Sequence, residues 1–298
     1  MEPDLITVGL DGSPESLAAA QWAADEADRR HAVLRLLHAW ILLAAEVPDT
    51  PPERDQNALA RRLVRRALDE VRERRPHLQI IEDLVGEEPE PALLRAAGAS
   101  LMVVLGSRAL GTWESYVLGD ISLDVVGRAE GPVVLVRAPD RATTPRHPAA
   151  DGTPPAPEPR VVVGVSLHGP CDRMLAFAFD AAAHRGLSLQ AVHGRPLPVQ
   201  AYTPWGIDPD AAKELTKEAD LELRDALRPW RERFPGVLVQ ETVLPESPTR
   251  ALVQTVFGAE LLVVGRRLHR PLLAPRVGPV AHAAMHHVTC PVAVVPHD

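Results

Sequence analysis

The 298-residue sequence holds only two cysteines, Cys171 and Cys290, and neither belongs to a C-x-x-C or zinc-ligand pattern. One pair cannot supply a disulfide scaffold, so both read as small apolar residues, and stability must come from packed cores. Long hydrophobic runs are missing as well; no apolar stretch approaches the ~20 residues needed to span a bilayer. The opening MEPDLITVGLDGS lacks a basic segment ahead of an apolar one, which argues against a secretion signal and for a cytoplasmic chain. Positive charge is not in excess. With 32 basic residues against 40 acidic ones the net charge is −8, so nothing global draws the chain to nucleic acid or an anionic membrane. Catalytic signatures are equally scarce: G-x-x-x-x-G-K-[ST], G-x-S-x-G and H-E-x-x-H are all absent, and no residue presents itself as a general base. The chain reads as non-catalytic, and an enzyme reading would leave at most slow ATP hydrolysis.

What is present is repetition. The length is about twice the ~100–200 residues of a usual domain, which predicts two domains, and 46% apolar content is ample for two cores. ITVGLD is answered by VVVGVS, Gly9 by Gly164, and LLHAW by AVHGR, His38 by His193, each 155 residues on. VVLGSR is answered by LVVGRR, Gly106 by Gly265, and GPVVLVRAP by CPVAVVPHD, Pro132 by Pro291, each 159 residues on. One four-residue insertion therefore relates two complete copies. Between them APDRATTPRHPAADGTPPAPEP, rich in proline and small polar residues, reads as a semi-extended linker. The expected organisation is a first domain over 1–137, a linker over 138–159 and a second domain over 160–298.

In the first copy LITVGL, VLRLLHAW, QIIEDLV, SLMVVLG and PVVLVR are short apolar runs without clean polar alternation, as parallel strands covered on both faces should be. Helices fall between them. Ser13-Pro14-Glu15 gives a capping hydroxyl followed by proline at the first helical position, predicting a helix to about Arg30. From Glu53 to Arg75, Leu59, Leu63, Val64, Leu68 and Val71 recur at helical spacing as an apolar stripe. The exposed run RRLVRRALDEVRERR on that helix interleaves acids and apolar residues and fits a solvated face rather than a nucleic-acid contact. Alternation of strand and helix predicts an α/β fold built from two repeated doubly wound parallel sheets flanked by helices.

In such a sheet a ligand binds beyond the carboxyl ends of the strands, where the strand order reverses. Two loops would meet there: Asp11-Gly12-Ser13 after the first strand, and GSRALGTWESYVLGD, Gly106 to Asp120, after the fourth. Glycines let a backbone approach a phosphate, and a helix beginning near Gly119 would turn free N–H groups and its positive dipole end toward the crevice. Ser13 and Pro14 already start the first helix, so Asp11 stands between a capping and a ligand role. Asp120 could favour a helix N-terminus without any ligand. Trp113 fits a packing role better than base stacking. His282 and His286 are four residues apart, yet no carboxylate or cysteine nearby completes a metal set, and no metal site is assigned.

V-G-x-D-G-S at the first strand, G-S-R after the fourth and P-V-x-x-V in the last resemble the universal stress protein family, and two copies resemble its tandem members. The resemblance implies five parallel strands per domain in the order 3-2-1-4-5, and dimerisation, often through the fifth strand. It also implies, for the nucleotide-binding subgroup, ATP held by a G-x2-G-x9-G-[ST] loop and by the aspartate after strand one. The first copy keeps Asp11, Gly106, Gly119 and Ser122, but has Ala109 at the second glycine and Asp120 in place of the hydroxyl. A carboxylate there repels a triphosphate unless Mg²⁺ lies between them. The second copy keeps Gly265 and Gly278, thirteen residues apart like Gly106 and Gly119, but carries Ser166, Leu268 and Pro279 at the other positions. No nucleotide is expected there in the family's manner, although Arg266, Arg267, Arg270 and Arg276 could attract another anion.

The function implied is a stress-response sensor in which the first domain binds an adenine nucleotide, ATP with Mg²⁺ at Asp120, and acts on a protein partner. The alternative is an interaction protein that has lost nucleotide binding in both halves. The apolar last strands are expected to pair as an intrachain pseudo-dimer, removing two open sheet edges, and a homodimer of whole chains is a further expectation.

Overall fold

The computed structural model describes residues 3–40, 56–107, 120–138, 158–196, 202–203, 206–207, 209–269 and 275–298. The chain divides into two compact units, 1–146 and 147–298. Most of the expected linker lies outside the described residues.

In the first unit the chain runs β1 (Leu5–Gly9), α1 (Pro14–Arg30), β2 (Val33–Ala39), α2 (Gln56–Arg74), β3 (Ile80–Val85), α3 (Pro89–Gly98), β4 (Met102–Ser107), α4 (Asp120–Arg128) and β5 (Val133–Arg137). β1 pairs with β2 and β4, β2 with β3, and β4 with β5, all parallel, which gives the order 3-2-1-4-5. In the second unit come β6 (Arg160–Gly164), α5 (Asp172–Arg185), β7 (Ser188–Gly194), β8 (Tyr202–Thr203), β9 (Gly206–Ile207), α6 (Pro209–Arg233), β10 (Val239–Leu244), α7 (Pro248–Thr255), β11 (Leu261–Arg267), α8 (Pro279–His287) and β12 (Val292–His297). β6 pairs with β7 and β11, β7 with β10, and β11 with β12, again all parallel and in the same order. The small antiparallel pair β8–β9 is an addition that the strand pattern did not announce.

Each central strand is fully sequestered: Ile6 and Val8 in β1, and Val161, Val162 and Val163 in β6, are 0% exposed. Edge strands are not. Ile81 in β3 is 45% exposed, because an outer strand has a covering helix on only part of its surface. On α1, Ala19, Ala20, Ala23, Ala24 and Ala27 are buried, and their small side chains bring the helix backbone close to the sheet. On α2 the buried stripe is Ala60, Val64, Ala67, Leu68 and Val71, while Leu59 is 48% exposed. Leu59 sits one residue off the helical period set by the alanines, which corrects the expected stripe at that position.

Both first helices end in a left-handed residue, and α1 also begins with a side-chain cap, whereas α5 follows Cys171 without one. The Ser13 hydroxyl accepts from the Ser16 amide at 3.1 Å, with Pro14 following it. At the far end of α1 His31 adopts left-handed φ 53°, and Ala32 N–H reaches Ala27 O at 2.9 Å. At the end of α5 the same role falls to Gly186, φ 64°, with Leu187 N–H to Ala182 O at 3.1 Å. Only the second is a residue for which that conformation is free of a Cβ clash. His31→Gly is therefore expected to stabilise the first unit by up to ~1 kcal/mol, the left-handed penalty exceeding the added unfolded-chain entropy. Urea denaturation of the two chains checks it, and a loss of stability would contradict it.

Candidate functional site

The carboxyl ends of β1, β2 and β4 enclose a cavity of about 430 Å³ in the first unit, with Asp11, Gly106 and Ser122 among the residues on its wall. The three therefore converge as expected. Gly119, Ala109 and Trp113 lie outside the described residues, and Asp120 is placed only as the first residue of α4. The rest of the wall is largely apolar: Gly9, Leu10, Leu37, Pro89, Leu93 and Leu105.

Asp11 is less spare than the helix start alone implied. Its Oδ1 accepts from the Ser13 amide at 2.9 Å and from the Ser13 hydroxyl at 2.5 Å, so it organises the turn whose hydroxyl then caps α1. Gly12 stands at φ +83° between them, a conformation that favours glycine. Asp11 is nonetheless exposed and borders the cavity. Gly106 is needed for a different reason than phosphate approach. A Cβ there would lie 2.5 Å from the Glu15 carbonyl carbon and the Ser16 nitrogen, because the first turn of α1 crosses the end of β4.

Histidine 38 is a wall residue that motif reading passed over. Its Nδ1–H donates to Leu10 O at 2.7 Å, tying the end of β2 to the end of β1, and its ring stacks on Trp40 at 6.0 Å. His193 repeats the arrangement in the second unit, donating from Nδ1 to Val165 O at 2.9 Å. The signal for both lay in the repeat itself, where the same residue type recurs at the same strand position.

The second unit's cavity is larger, about 640 Å³, and its wall has the opposite character. Arg195, Arg266, Arg267 and Arg276 line it together with four histidines, and no carboxylate is found among the described residues on its wall. By contrast, Asp11 and His38 are the ionisable residues on the described wall of the first. The difference traces to single positions: Ser166 replaces Asp11, and Arg266 replaces Ser107. Arg266 is only 4% exposed, whereas Arg267, its neighbour on the strand and also on the wall, is exposed. Arg195 is braced by ion pairs to Glu218 at 3.3 Å and Glu222 at 3.9 Å on α6. Gly278 precedes α8 with an ordinary backbone, φ −69° and ψ 162°, and among the described residues beyond its chain neighbours no atom lies within 4 Å of where its Cβ would be. Cys171, half-buried on the same wall, has its thiol pKa pushed up by burial and, next, by the Asp172 carboxylate.

His282 and His286 on α8 lie with ring centroids 4.3 Å apart and planes tilted by 47°, but among the described residues no third metal-binding side chain joins them. Among the described residues no helix is long and apolar enough to cross a membrane.

Comparison with known proteins gives the lineage. A model of the universal stress protein family matches residues 4–137 and again 159–296. One universal stress protein of Mycobacterium tuberculosis is 33% identical over 301 residues, covering 97% of this chain and 96% of that protein. A second from the same organism is 30% identical over 300 residues, covering 97% and 95%. Among solved structures, a universal stress protein from Archaeoglobus fulgidus shares the fold over 100% of both chains, with a TM-score of 0.66 at 16% identity.

Proposed function

The chain belongs to the universal stress protein family, and from that premise we propose that it is a non-catalytic stress-response sensor whose first unit binds an adenine nucleotide. The observation that carries the proposal is the first cavity: an apolar wall at the switch point of the sheet, with the Asp11 carboxyl group at one rim and the start of α4 at the other. Apolar surface from Leu37, Pro89 and Leu93 suits a purine. Asp11, an acceptor only, suits the hydroxyls of a ribose rather than phosphate. Ser122 and the first amides of α4 would face the phosphate side, where Mg²⁺ would offset the charge of Asp120. Occupancy would then bias a surface read by a protein partner.

Calorimetric titration of the full chain with ATP, with and without Mg²⁺, tests this. Uptake at or below millimolar levels is expected, and Asp11→Asn, which keeps an oxygen for the Ser13 turn but loses the charge, should weaken it about tenfold. No uptake under either condition would remove the nucleotide from the first unit. That outcome favours an interaction protein that has lost the ligand, a reading to which the engagement of Asp11 with Ser13 lends weight.

A further inference from the structure

We infer that the second unit's cavity is a ligand site in its own right, for a small phosphorylated molecule that also carries a hydroxyl group. Its location matches that of the first cavity, but its chemistry does not. Four observations converge. The described wall carries four arginines and no carboxylate, in a chain whose net charge is −8. Such a wall favours anions, although Arg195 is already paired with Glu218 and Glu222 and Arg266 and Arg276 are engaged within the protein. Arg266 is 4% exposed, so water screens its charge weakly, while exposed Arg267 makes no ion pair among the described residues.

The second observation is His193, 4% exposed and on the cavity wall. Because Nδ1 must carry the proton it gives to Val165 O, the neutral ring leaves Nε2 as an acceptor, and Nε2 is buried with no hydrogen-bond partner among the described residues. A buried acceptor without a donor costs free energy. A ligand hydroxyl would relieve that cost, which inorganic chloride or sulfate would not. Third, α8 begins at the wall, and Val280 and Ala281 in its first turn line the cavity, so the positive end of the helix adds to the arginines. Pro279 has no N–H to give, which narrows the donors to those two amides and the side chains. Fourth, Val165, Val192, Met174 and Pro248 leave part of the wall apolar, room for the carbon skeleton of the ligand, and the volume is in the range of small-molecule sites.

The ligand is not expected to be a nucleotide held as in the first unit, because Ser166 offers no carboxylate to a ribose diol and Leu268 continues the ladder, donating to His297 O at 2.7 Å.

Cys171 supplies the readout. Ribose 5-phosphate is the probe, ribose its uncharged control, and alkylation of the Cys171 peptide is followed by mass spectrometry on the full chain. Ribose 5-phosphate is expected to slow alkylation saturably, and ribose is not. Arg267→Ala, an exposed change, should raise the half-protecting concentration about tenfold without moving Tm. His193→Asn, which keeps a side-chain donor for Val165 O but removes the Nε2 acceptor, should also weaken protection. Gly278→Leu should abolish it by filling open space. No protection by ribose 5-phosphate, equal protection by ribose, or protection untouched in both Arg267→Ala and Gly278→Leu would overturn the inference. ATP in the same assay separates the two sites. ATP binding that survives Gly278→Leu and weakens with Asp11→Asn belongs to the first unit and leaves this inference to the ribose 5-phosphate result. ATP binding with the reverse dependence places an anion here and removes the nucleotide from the first unit.

Discussion

Phe179→Ala is expected to cost the second unit about 3–5 kcal/mol, the usual range for removing a buried phenyl group from a core that cannot collapse. Phe179 is 0% exposed on α5 and meets Trp230 of α6 and Phe234, just beyond that helix, at centroid distances of 6.1 and 5.7 Å; those two rings stand 6.5 Å apart. The three rings form one cluster, and truncating the member that touches both others leaves a void bordered by rigid planes. A domain is stable by only about 5–15 kcal/mol, so a large fraction of the margin goes. The corresponding position of the first unit is Ala24, also 0% exposed, so the aromatic cluster belongs to the second copy alone. Because a two-domain chain need not unfold in one step, the measurement is hydrogen exchange of peptides covering β6 and β7, not a global midpoint. Phe179→Leu, retaining most of the volume, should cost much less. A loss below ~1 kcal/mol for the alanine would mean that the cluster is not part of the cooperative core.

Much of the fold was legible because the repeat states it twice. Strands such as LITVG and RVVVG end at a glycine, and the first helix of the first copy carries its own start signal in Ser13-Pro14. Leu59 was misjudged because sequence periodicity does not say how deeply alanine packs: Ala60 and Ala67 took the inner line, and the larger leucine was left outside. Half of the site was legible too. Asp11, Gly106 and Ser122 do meet at one cavity. The side-chain partnership of Asp11 was not, since a helix start that looks complete with Ser13 gives no hint that its hydroxyl is itself held by a carboxylate. The character of the second cavity was legible in part. Arg266 and Arg267 read as residues able to attract an anion other than a nucleotide, but nothing in the sequence said that Arg266 is the buried one of the two. Loss of motif residues Asp, Gly and Ser/Thr from the second copy read as loss of nucleotide binding in the family's manner. In the structure Ser166 stands where the first wall has its carboxylate, and arginines outside the motif line the second wall.

Gly106 and Gly265 sharpen that point, because the same glycine at the same place in both repeats is expected to tolerate alanine very differently. At Gly106 the added methyl meets backbone, 2.5 Å from both Glu15 C and Ser16 N, and neither can move without lifting the first turn of α1 off β4 and disturbing the Ser13 cap. Gly106→Ala should therefore cost about 1–3 kcal/mol, as overpacking against an immobile neighbour does. At Gly265 the methyl meets side chains instead, the His297 imidazole and, at 3.2 Å, Met174 Sδ. His297 holds exposed hydrogen bonds at the end of its strand, to Pro170 O or Asp298 O at 3.0 Å, and can rotate away. Gly265→Ala should cost less than ~1 kcal/mol, the more so because Met adapts its shape readily. Urea denaturation of both variants, read by exchange within each unit, decides the matter. Equal costs would mean that both glycines serve the backbone of the loop that follows, as phosphate approach requires. Unequal costs mean that in the first unit glycine is held by helix packing, in the second mainly by the space it leaves at the cavity wall. Retention of a residue through a duplication is then no measure of retained function: each copy can keep the same glycine for its own physical reason while the ligand chemistry around it diverges.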